Sequence, residues 1–406
     1  MLHSYTDHQY HFREIFNDKT GFYARTGILK DGVDTGEDPF MRSFPSLIDV
    51  GIMGHCAHGK SGLCQKAGIQ CYQDAPHSNA RNMTLDDYKR IIDEGSIHGL
   101  FSVALGGAGD PDMHEDFEAI LKYSVENHVV PNFTTSGLGL TPAKAELCKQ
   151  YCGAVAVSMY SRIKDNVEYV AMRRRDEQEE RHPYASVEEI PAKWTFHNVF
   201  GKLDERFTVI PIETLCAADM NGNYELFRLF EERETDPDIP NYTMNAIKML
   251  LDAGVKTNIH YVLGNNTIDE ALTRIKYNGF PAGINAVIFL LHKPIGLGQQ
   301  SNVLQYDDPK VAEFFSLINK GNLPYKVGFD SCTVPGLLNM TDNIMPESVD
   351  SCEGGRFSMY ITADMKALPC SFDNQQQKWA YDISNDTILN AWNSKAFNNF
   401  RKHFKT

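Results

Sequence analysis

Apolar and polar positions along this chain change period in a regular way. Ser46 to Met53 is an apolar, β-branched run that predicts a buried strand, and Thr84 to Glu94 (TLDDYKRIIDE) follows with a capping Thr, early acids and a closing Gly95, which predicts a helix. Leu100 to Leu105 is the next apolar strand. Asp116 to Val125 has helical spacing at Phe117, Ile120, Leu121 and Val125 and leads into a strand at Val129 to Thr134. Thr141 and Pro142 open a helix by a capping side chain and a fixed φ, before a fourth strand at Ala154 to Met159. Thr243 to Ala253, ending at Gly254, feeds Thr257 to Leu263; Thr267 and Glu270 then read as a capping box, and Asn285 to Leu291 is the sixth strand.

Six strands alternating with helices argue for α/β architecture with a parallel sheet, although periodicity alone does not choose between a flat sheet and a barrel. The segment from about Arg162 to Pro240 is too long for one connection and contains the charge-rich MRRRDEQEERH. It reads as an insertion over one mouth of the core, either a solvated excursion or a substrate lid. After Gly298 the alternation is expected to stop, and Phe357 to Thr362, a turn through Asp364, and Lys366 to Leu368 read as a hairpin. The division expected is therefore an N-terminal extension at 1–45, an α/β core at 46–300 and a C-terminal domain at 301–406. FNDKTGFYARTG, in the extension, predicts a hairpin turning at DKTG and packed across the core rather than a peptide-binding domain.

Length and composition narrow the class. With 406 residues, 42% of them hydrophobic, the chain can bury a core of barrel size and a smaller one beside it. Neither a membrane-length apolar run nor a signal peptide is present, so no membrane partner and a cytoplasmic location are expected. The net charge of −14 repels polyanions and tells against nucleic acid as a partner.

Nine cysteines in a reducing compartment point to metal ligands or buried thiols rather than disulfides. Cys148, Cys152 and Cys216 take the plainer reading, small buried apolar thiols. Cys56, Cys64 and Cys71 lie just beyond the carboxyl end of the first strand, where α/β enzymes place their chemistry. Three thiolates there suit either three corners of an iron–sulfur cube with one iron open or three of four ligands of a structural zinc. His55 and His58 flank Cys56 and are left out of the ligand set.

GGAGDP, Gly106 to Pro111, directly after the second strand, lets backbone approach a ligand closely. With the cysteine triplet before it, TSGLGL (Thr135 to Leu140) after the third strand and Ser158 ending the fourth, the chain resembles the radical S-adenosylmethionine (SAM) enzymes. The usual family spacing is C-x3-C-x2-C, whereas this loop is C-x7-C-x6-C, with aromatic Tyr72 after the last cysteine as is frequent there. The resemblance implies a partial (β/α)6 TIM-like barrel and a 4Fe-4S cluster on Cys56, Cys64 and Cys71. SAM is expected against Gly106, Gly107, Ala108, Gly109 and Asp110, with further contacts from Ser136, Ser158 and Tyr72. It also implies reductive cleavage of SAM to methionine and a 5′-deoxyadenosyl radical that takes hydrogen from substrate, fed by a reductant such as flavodoxin or ferredoxin. It assigns no catalytic side chain.

The tail, CEGGRFSMYITADMKALPC from Cys352 to Cys370, resembles the SPASM or twitch extensions that bind auxiliary iron–sulfur clusters, with Met365 where their DG glycine stands. Since no cysteine follows Cys370, at most one auxiliary cluster is implied, on Cys332, Cys352 and Cys370. Its fourth site is left to substrate, to another residue or to a distant cysteine such as Cys216. Zinc on the same thiols is the structural alternative. By analogy with peptide maturases the expected substrate is a peptide or protein side chain. A small-molecule metabolite is the other enzymatic reading, and a non-catalytic iron–sulfur or zinc protein the reading from another class; the glycine loop speaks against the latter.

Overall fold

The computed structural model describes residues 1–62, 64, 69–159, 163–195, 206–234, 242–276, 278–321, 323–334, 338, 349–374 and 376–404. The N-terminal extension forms an antiparallel sheet of β1 (Leu2–Asp7), β2 (Phe12–Asn17) and β3 (Tyr23–Arg25), followed by a short pair, β4 (Leu29–Lys30) and β5 (Val33–Asp34). The expected turn is there: Gly21 N–H donates to Asn17 O at 2.8 Å between β2 and β3. Phe16 stacks on Phe101 at 5.4 Å, Lys256 donates to Thr20 O at 2.8 Å, and the fully buried Arg42 pairs with Glu14 at 2.7 Å while donating to Gly99 O. Phe101, Gly99 and Lys256 all precede barrel strands, so this sheet closes the amino end of the barrel, opposite the cysteine loop.

The core strands are β6 (Leu47–Met53), β7 (Ser102–Gly107), β8 (Val130–Thr135) and β9 (Val155–Met159), followed after the insertion, whose strands are β10 to β13, by β14 (Thr257–Leu263) and β15 (Ala286–Leu291). They run parallel in the order β6-β7-β8-β9-β14-β15, an open α/β barrel. Helices Leu85–Ile97, Phe117–Glu126, Pro142–Tyr151, Tyr242–Ala253 and Ile268–Lys276 connect them. Thr84 and Thr141 cap their helices by accepting from Asp87 N and Lys144 N, as their sequence positions predict. The first helix runs through Gly95 to Ile97, three residues past its expected end. Ile48, Val50, Ile52, Val103, Leu105, Phe133, Ile259 and Val287 face the helices within one continuous apolar core, each burial of this kind stabilising the fold by about 1.5–3 kcal/mol. The alternate positions carry polar groups: Asp49, Asn132, Thr134, Ser158, Asn258 and His260 are half-buried on the inner face. This period-two alternation is legible in the sequence and marks an interior that is polar rather than filled with aliphatic side chains.

One expectation about the chain's later half is corrected. The alternation continues past Gly298: Asp308 caps helix Pro309–Asn319, whose Val311, Phe314 and Phe315 are buried, and β16 (Lys326–Phe329) pairs parallel to β15. The cue was present, since an Asp before Pro at the first helical position is a helix start. The inserted segment forms a sheet of its own. β10 (Ile163–Arg174), β11 (Ala192–Thr195), β12 (Phe207–Pro211) and β13 (Tyr224–Glu234) lie in the order β11-β13-β10-β12, with Val170, Ile190 and Leu226 at the centre of a small core. In its charged stretch Arg173 bridges Glu179 and Glu225. Positions 162, 196–205 and 235–240 of the expected insertion lie outside the described residues.

The C-terminal hairpin is β17 (Ser358–Ile361) and β18 (Lys366–Leu368), joined by β19 (Tyr381–Asp382). Rather than standing apart, it extends the barrel sheet: β17 pairs parallel to β6, with Ser358 opposite Leu47 and Ile361 opposite Val50. Met365 occupies the left-handed turn position with φ of 61°, and Met365 N–H donates to Thr362 O at 3.0 Å. Glu94, on a barrel helix, accepts from Ile388 N and Leu389 N, so that its carboxylate caps the C-terminal helix Ile388–Trp392. Buried Trp392 donates to Arg42 O at 2.9 Å.

Candidate metal and SAM site at the barrel mouth

The first cysteine loop begins where β6 ends. Cys56 caps the short helix Ala57–Ser61, its Sγ accepting from Gly59 N at 3.3 Å. Burial pushes the Cys56 thiol up; the Gly59 amide opposes this, and the charges of Asp110 and Cys71 add to it. Cys71 is likewise raised by burial, against backbone N–H groups of Ala75 and Gln73. Cys64 Sγ lies 3.5 Å from His58 Nδ1, which is also 3.3 Å from Ser136 Oγ. His58, set aside in the sequence, is therefore buried between a candidate ligand and the third-strand motif, whereas His55 contacts Ala80 O from an exposed position. Leu63 and residues 65–68 lie outside the described residues.

Among the described residues no three His, Cys, Asp or Glu side chains converge closely enough to hold a single metal ion. A cube places each thiolate on its own iron corner and so tolerates wider separation than a mononuclear site. Buried thiols acted on by anions also suit a cationic cluster core, since ligation ionises them and compensates their charge. The wider separation favours an iron–sulfur cluster over a zinc ion, while the charge compensation suits either.

The glycine loop is pressed against this cysteine loop. Ala108 N–H donates to Met53 O at 2.8 Å. Gly107 has φ of 116°, and a Cβ there would stand 2.4 Å from Met53 O; one on Gly109 would stand 2.4 Å from His55 O and 3.2 Å from Cys56 Cα. These two glycines are needed for close approach of the two loops to each other. Only Gly106 differs, since nothing lies within 4 Å of its Cβ position and it faces open space. Asp110 accepts from Ser136 N at 2.9 Å and Ser136 Oγ at 2.5 Å, and burial raises its carboxyl despite both bonds. Asp112, which sequence reasoning missed, accepts from Thr135 Oγ1 at 2.7 Å and is pushed up to about 6 by burial and by Asp110. Thr243 ties the ends of β8 and β9 together, its hydroxyl 3.5 Å from the carbonyls of Ser136 and Ser158. Ser158 pairs across the sheet with His260, whose ring is held neutral by burial, at about 4.

Tyr72 sits farther along the mouth. Its ring is 5.2 Å from that of Phe372 in the C-terminal hairpin region, and the Cys71 carbonyl accepts from Leu297 N at 2.9 Å. Gln70 Oε1 accepts from Gln299 N at 2.9 Å. The end of the first cysteine loop is thus clamped between the loop after β15 and the C-terminal module. Gln73, the next residue, accepts from Asn374 Nδ2 at 2.8 Å and extends that junction.

The second cysteine set gathers three separate segments. Cys332 follows β16, Cys352 precedes β17 and Cys370 follows β18. Cys352 Sγ and Cys370 Cβ each lie 3.7 Å from where a Cβ on Gly354 would stand. Burial pushes Cys370 up to about 11, with Cys352 and Cys332 adding to the rise. Cys332 is raised by burial, opposed by Lys293. Cys216, expected as a buried apolar thiol and also considered as a distant fourth ligand, is instead exposed in the inserted segment, where its thiol donates to Asp219 Oδ2 at 3.0 Å. Cys148 is buried in the barrel core with Cys152 packed against it, as the plainer reading expects.

A family model of an iron–sulfur cluster-binding domain, SPASM, matches residues 352–406, the segment that contains the hairpin and two of these three cysteines. The fold is similar to that of SuiB from Streptococcus suis, in its structure bound to S-adenosylmethionine (TM-score 0.51, 13% identity, 89% of this chain and 68% of that one) and in its structure bound to the precursor peptide SuiA (TM-score 0.54, 13% identity, 89% and 67%). The C-terminal segment matches an iron–sulfur cluster-binding SPASM domain, and the fold as a whole is that of SuiB. In sequence, the chain is 32% identical to the mycofactocin maturase MftC of Mycolicibacterium smegmatis over 82 residues, 20% of this chain and 21% of MftC. That match spans about a fifth of MftC, and the likeness to SuiB at 13% identity is one of fold. Among the described residues no helix is long and apolar enough to cross a membrane.

Proposed function

We propose that the chain is a radical SAM enzyme that cleaves SAM reductively and takes a hydrogen atom from a peptide or protein side chain. The observation that carries this reading is the junction of the two loops: Ala108 bonded to Met53, and Gly109 against His55 and Cys56, put a glycine loop with one open face, Gly106, directly beside the start of the cysteine loop. When bound, a 4Fe-4S cluster on Cys56, Cys64 and Cys71 supplies the electron that breaks the carbon–sulfur bond of SAM. The chain's own part is binding and orientation. Gly106 leaves room for the methionine end of SAM, Asp110 holds Ser136 in place, and Thr243 fixes the β8 and β9 ends against which Ser158 faces inward. The N-terminal sheet, closing the opposite end of the barrel, helps to exclude water from the interior.

The peptide part of the proposal is supported by the SPASM match and by kinship with a protein named as a maturase and a fold neighbour solved with a precursor peptide. The polar inner face of Asp49, Thr134, Ser158 and His260 favours a second reading, a small polar metabolite held inside the barrel. A flavodoxin- or ferredoxin-type protein is the proposed reductant. The test is anaerobic incubation of the reconstituted chain with SAM and dithionite, which should yield 5′-deoxyadenosine, followed by mass spectrometry of a short peptide encoded beside the gene. Replacing Cys56, Cys64 and Cys71 together by Ala should abolish the 5′-deoxyadenosine; product from that variant would overturn the assignment. An unmodified peptide with continuing SAM cleavage would favour the metabolite.

A further inference from the structure

The short helix Ala57–Ser61, which Cys56 caps, carries His58, only 4% exposed and with its ring 5.5 Å from that of Tyr242. One nitrogen of this ring, Nδ1, meets groups from two different loops: Cys64 Sγ at 3.5 Å and Ser136 Oγ at 3.3 Å. Which of the pair His58 and Ser136 donates follows from the other bonds of Ser136. A hydroxyl has one hydrogen and two lone pairs. Ser136 gives that hydrogen to Asp110 Oδ2 at 2.5 Å, its N–H goes to Asp110 Oδ1 at 2.9 Å, and Leu138 N–H approaches its oxygen at 3.4 Å. Toward His58 the Ser136 oxygen is therefore an acceptor, and the hydrogen between them sits on Nδ1. The same N–H borders Cys64 Sγ, which as a metal-bound thiolate accepts only.

We infer that His58 is a positioning residue of the first metal site: its Nδ1–H, held in that tautomer by Ser136 and Asp110, donates to the Cys64 thiolate and raises the reduction potential of the cluster bound there. This rests on the reading that Cys56, Cys64 and Cys71 hold a 4Fe-4S cluster. Reduction adds one electron, whose charge spreads onto the sulfurs, and an N–H fixed against one of them stabilises the reduced form more than the oxidised one. Burial of the ring keeps water from competing for that N–H. The series Asp110, Ser136, His58, Cys64 runs from the glycine loop through the loop after β8 to the cysteine loop. The two loops assigned to SAM thus also set the hydrogen bond on a metal ligand. A ring that served packing alone would need its shape beside Tyr242 and not the hydrogen on Nδ1.

The test is a redox titration followed by electron paramagnetic resonance on the anaerobically reconstituted full chain, reading the signal that changes when SAM is added, with His58→Phe, His58→Leu and His58→Asn. The first variant keeps a ring beside Tyr242 without the donor, the second removes both, and the third returns an N–H near the position of Nδ1. In His58→Phe and His58→Leu the ratio of reduced to oxidised cluster at a fixed potential should fall about tenfold, a midpoint roughly 59 mV more negative for one electron. His58→Asn should restore most of that shift, and Ser136→Ala, which releases the tautomer, should move the midpoint the same way by less. An unchanged midpoint in His58→Phe and His58→Leu, or equal shifts in His58→Phe and His58→Asn, would overturn the role of His58 alone. An unmoved midpoint in Ser136→Ala would overturn the part given to Ser136 and Asp110. Loss of the cluster from all three His58 variants would assign the residue to assembly and likewise overturn the inference. A wild-type chain that keeps all its iron when Cys56, Cys64 and Cys71 are replaced would overturn the site assignment with it.

Discussion

The two cysteine sets are built on different supports. Cys56, Cys64 and Cys71 share one loop, braced from outside by the glycine loop at Gly107 and Gly109 and by the Gln70 and Tyr72 contacts. Cys332, Cys352 and Cys370 come from three segments brought together by strand pairing, one behind β16 and two flanking the β17–β18 hairpin. The first set borders open space at Gly106, while the second is walled by Lys293, Asp330 and Phe372. An exposed face suits a site that must admit a cosubstrate, and a walled one suits a cluster that exchanges electrons.

The largest effect separates the two sets outright. Wild-type chain should carry roughly eight irons as two cubes, and replacing the second three cysteines by Ala should remove about half. That variant should still form 5′-deoxyadenosine at least about a hundredfold faster than the variant lacking the first three, a difference of about 2.7 kcal/mol in barrier. About four irons in fully reconstituted wild type would collapse the comparison to one metal site.

A second experiment probes the bracing of the first set. Gly109→Ala pushes a Cβ toward His55 O and should lose both iron and SAM binding. Gly106→Ala enters open space and should keep the iron while weakening SAM binding by about tenfold or more, about 1.4 kcal/mol. If both variants keep iron and bind SAM normally, the glycine loop neither braces the cysteines nor meets the cosubstrate.

The hairpin of the second set is tested at Met365. Met365→Gly relieves about 1–2 kcal/mol of left-handed strain. It also removes a side chain only 3% exposed, which costs about 2–5 kcal/mol. Net destabilisation of about 1–3 kcal/mol is expected in denaturant titrations. A more stable variant would show that the turn, not the buried side chain, limits the module.

The smallest effect concerns Asp49, which lies opposite Tyr360 on β17 and within electrostatic reach of Cys370 and Tyr72. Burial raises its carboxyl from 3.8 to about 7. The folded chain therefore keeps a proton that the unfolded chain releases, and stability falls as pH rises from about 4 to about 7. Asp49→Asn should be more stable than wild type by about 1–2 kcal/mol at pH 8, with a smaller gain at pH 5. Equal gains at the two pH values would mean that the carboxyl is compensated in the fold.

The sequence by itself determined the barrel's strands and helices, the capping threonines Thr84 and Thr141, the grouping of the cysteines and the order of the cysteine and glycine loops. Those are properties of windows of about ten residues, where the apolar period and local capping chemistry act directly. Tertiary structure alone decided that β17 lies beside β6, joined by bonds such as Ser46 to Phe357, 311 residues apart. It also decided that His58 meets Cys64, that Gly107 and Gly109 serve loop packing, that the interior is lined by Asp49 and His260, and that Lys293 pairs with Asp330. Spacing along the chain does not encode these contacts. They follow from which distant segments bury complementary faces together, once the closure of the long loops between them has been offset by the packed core.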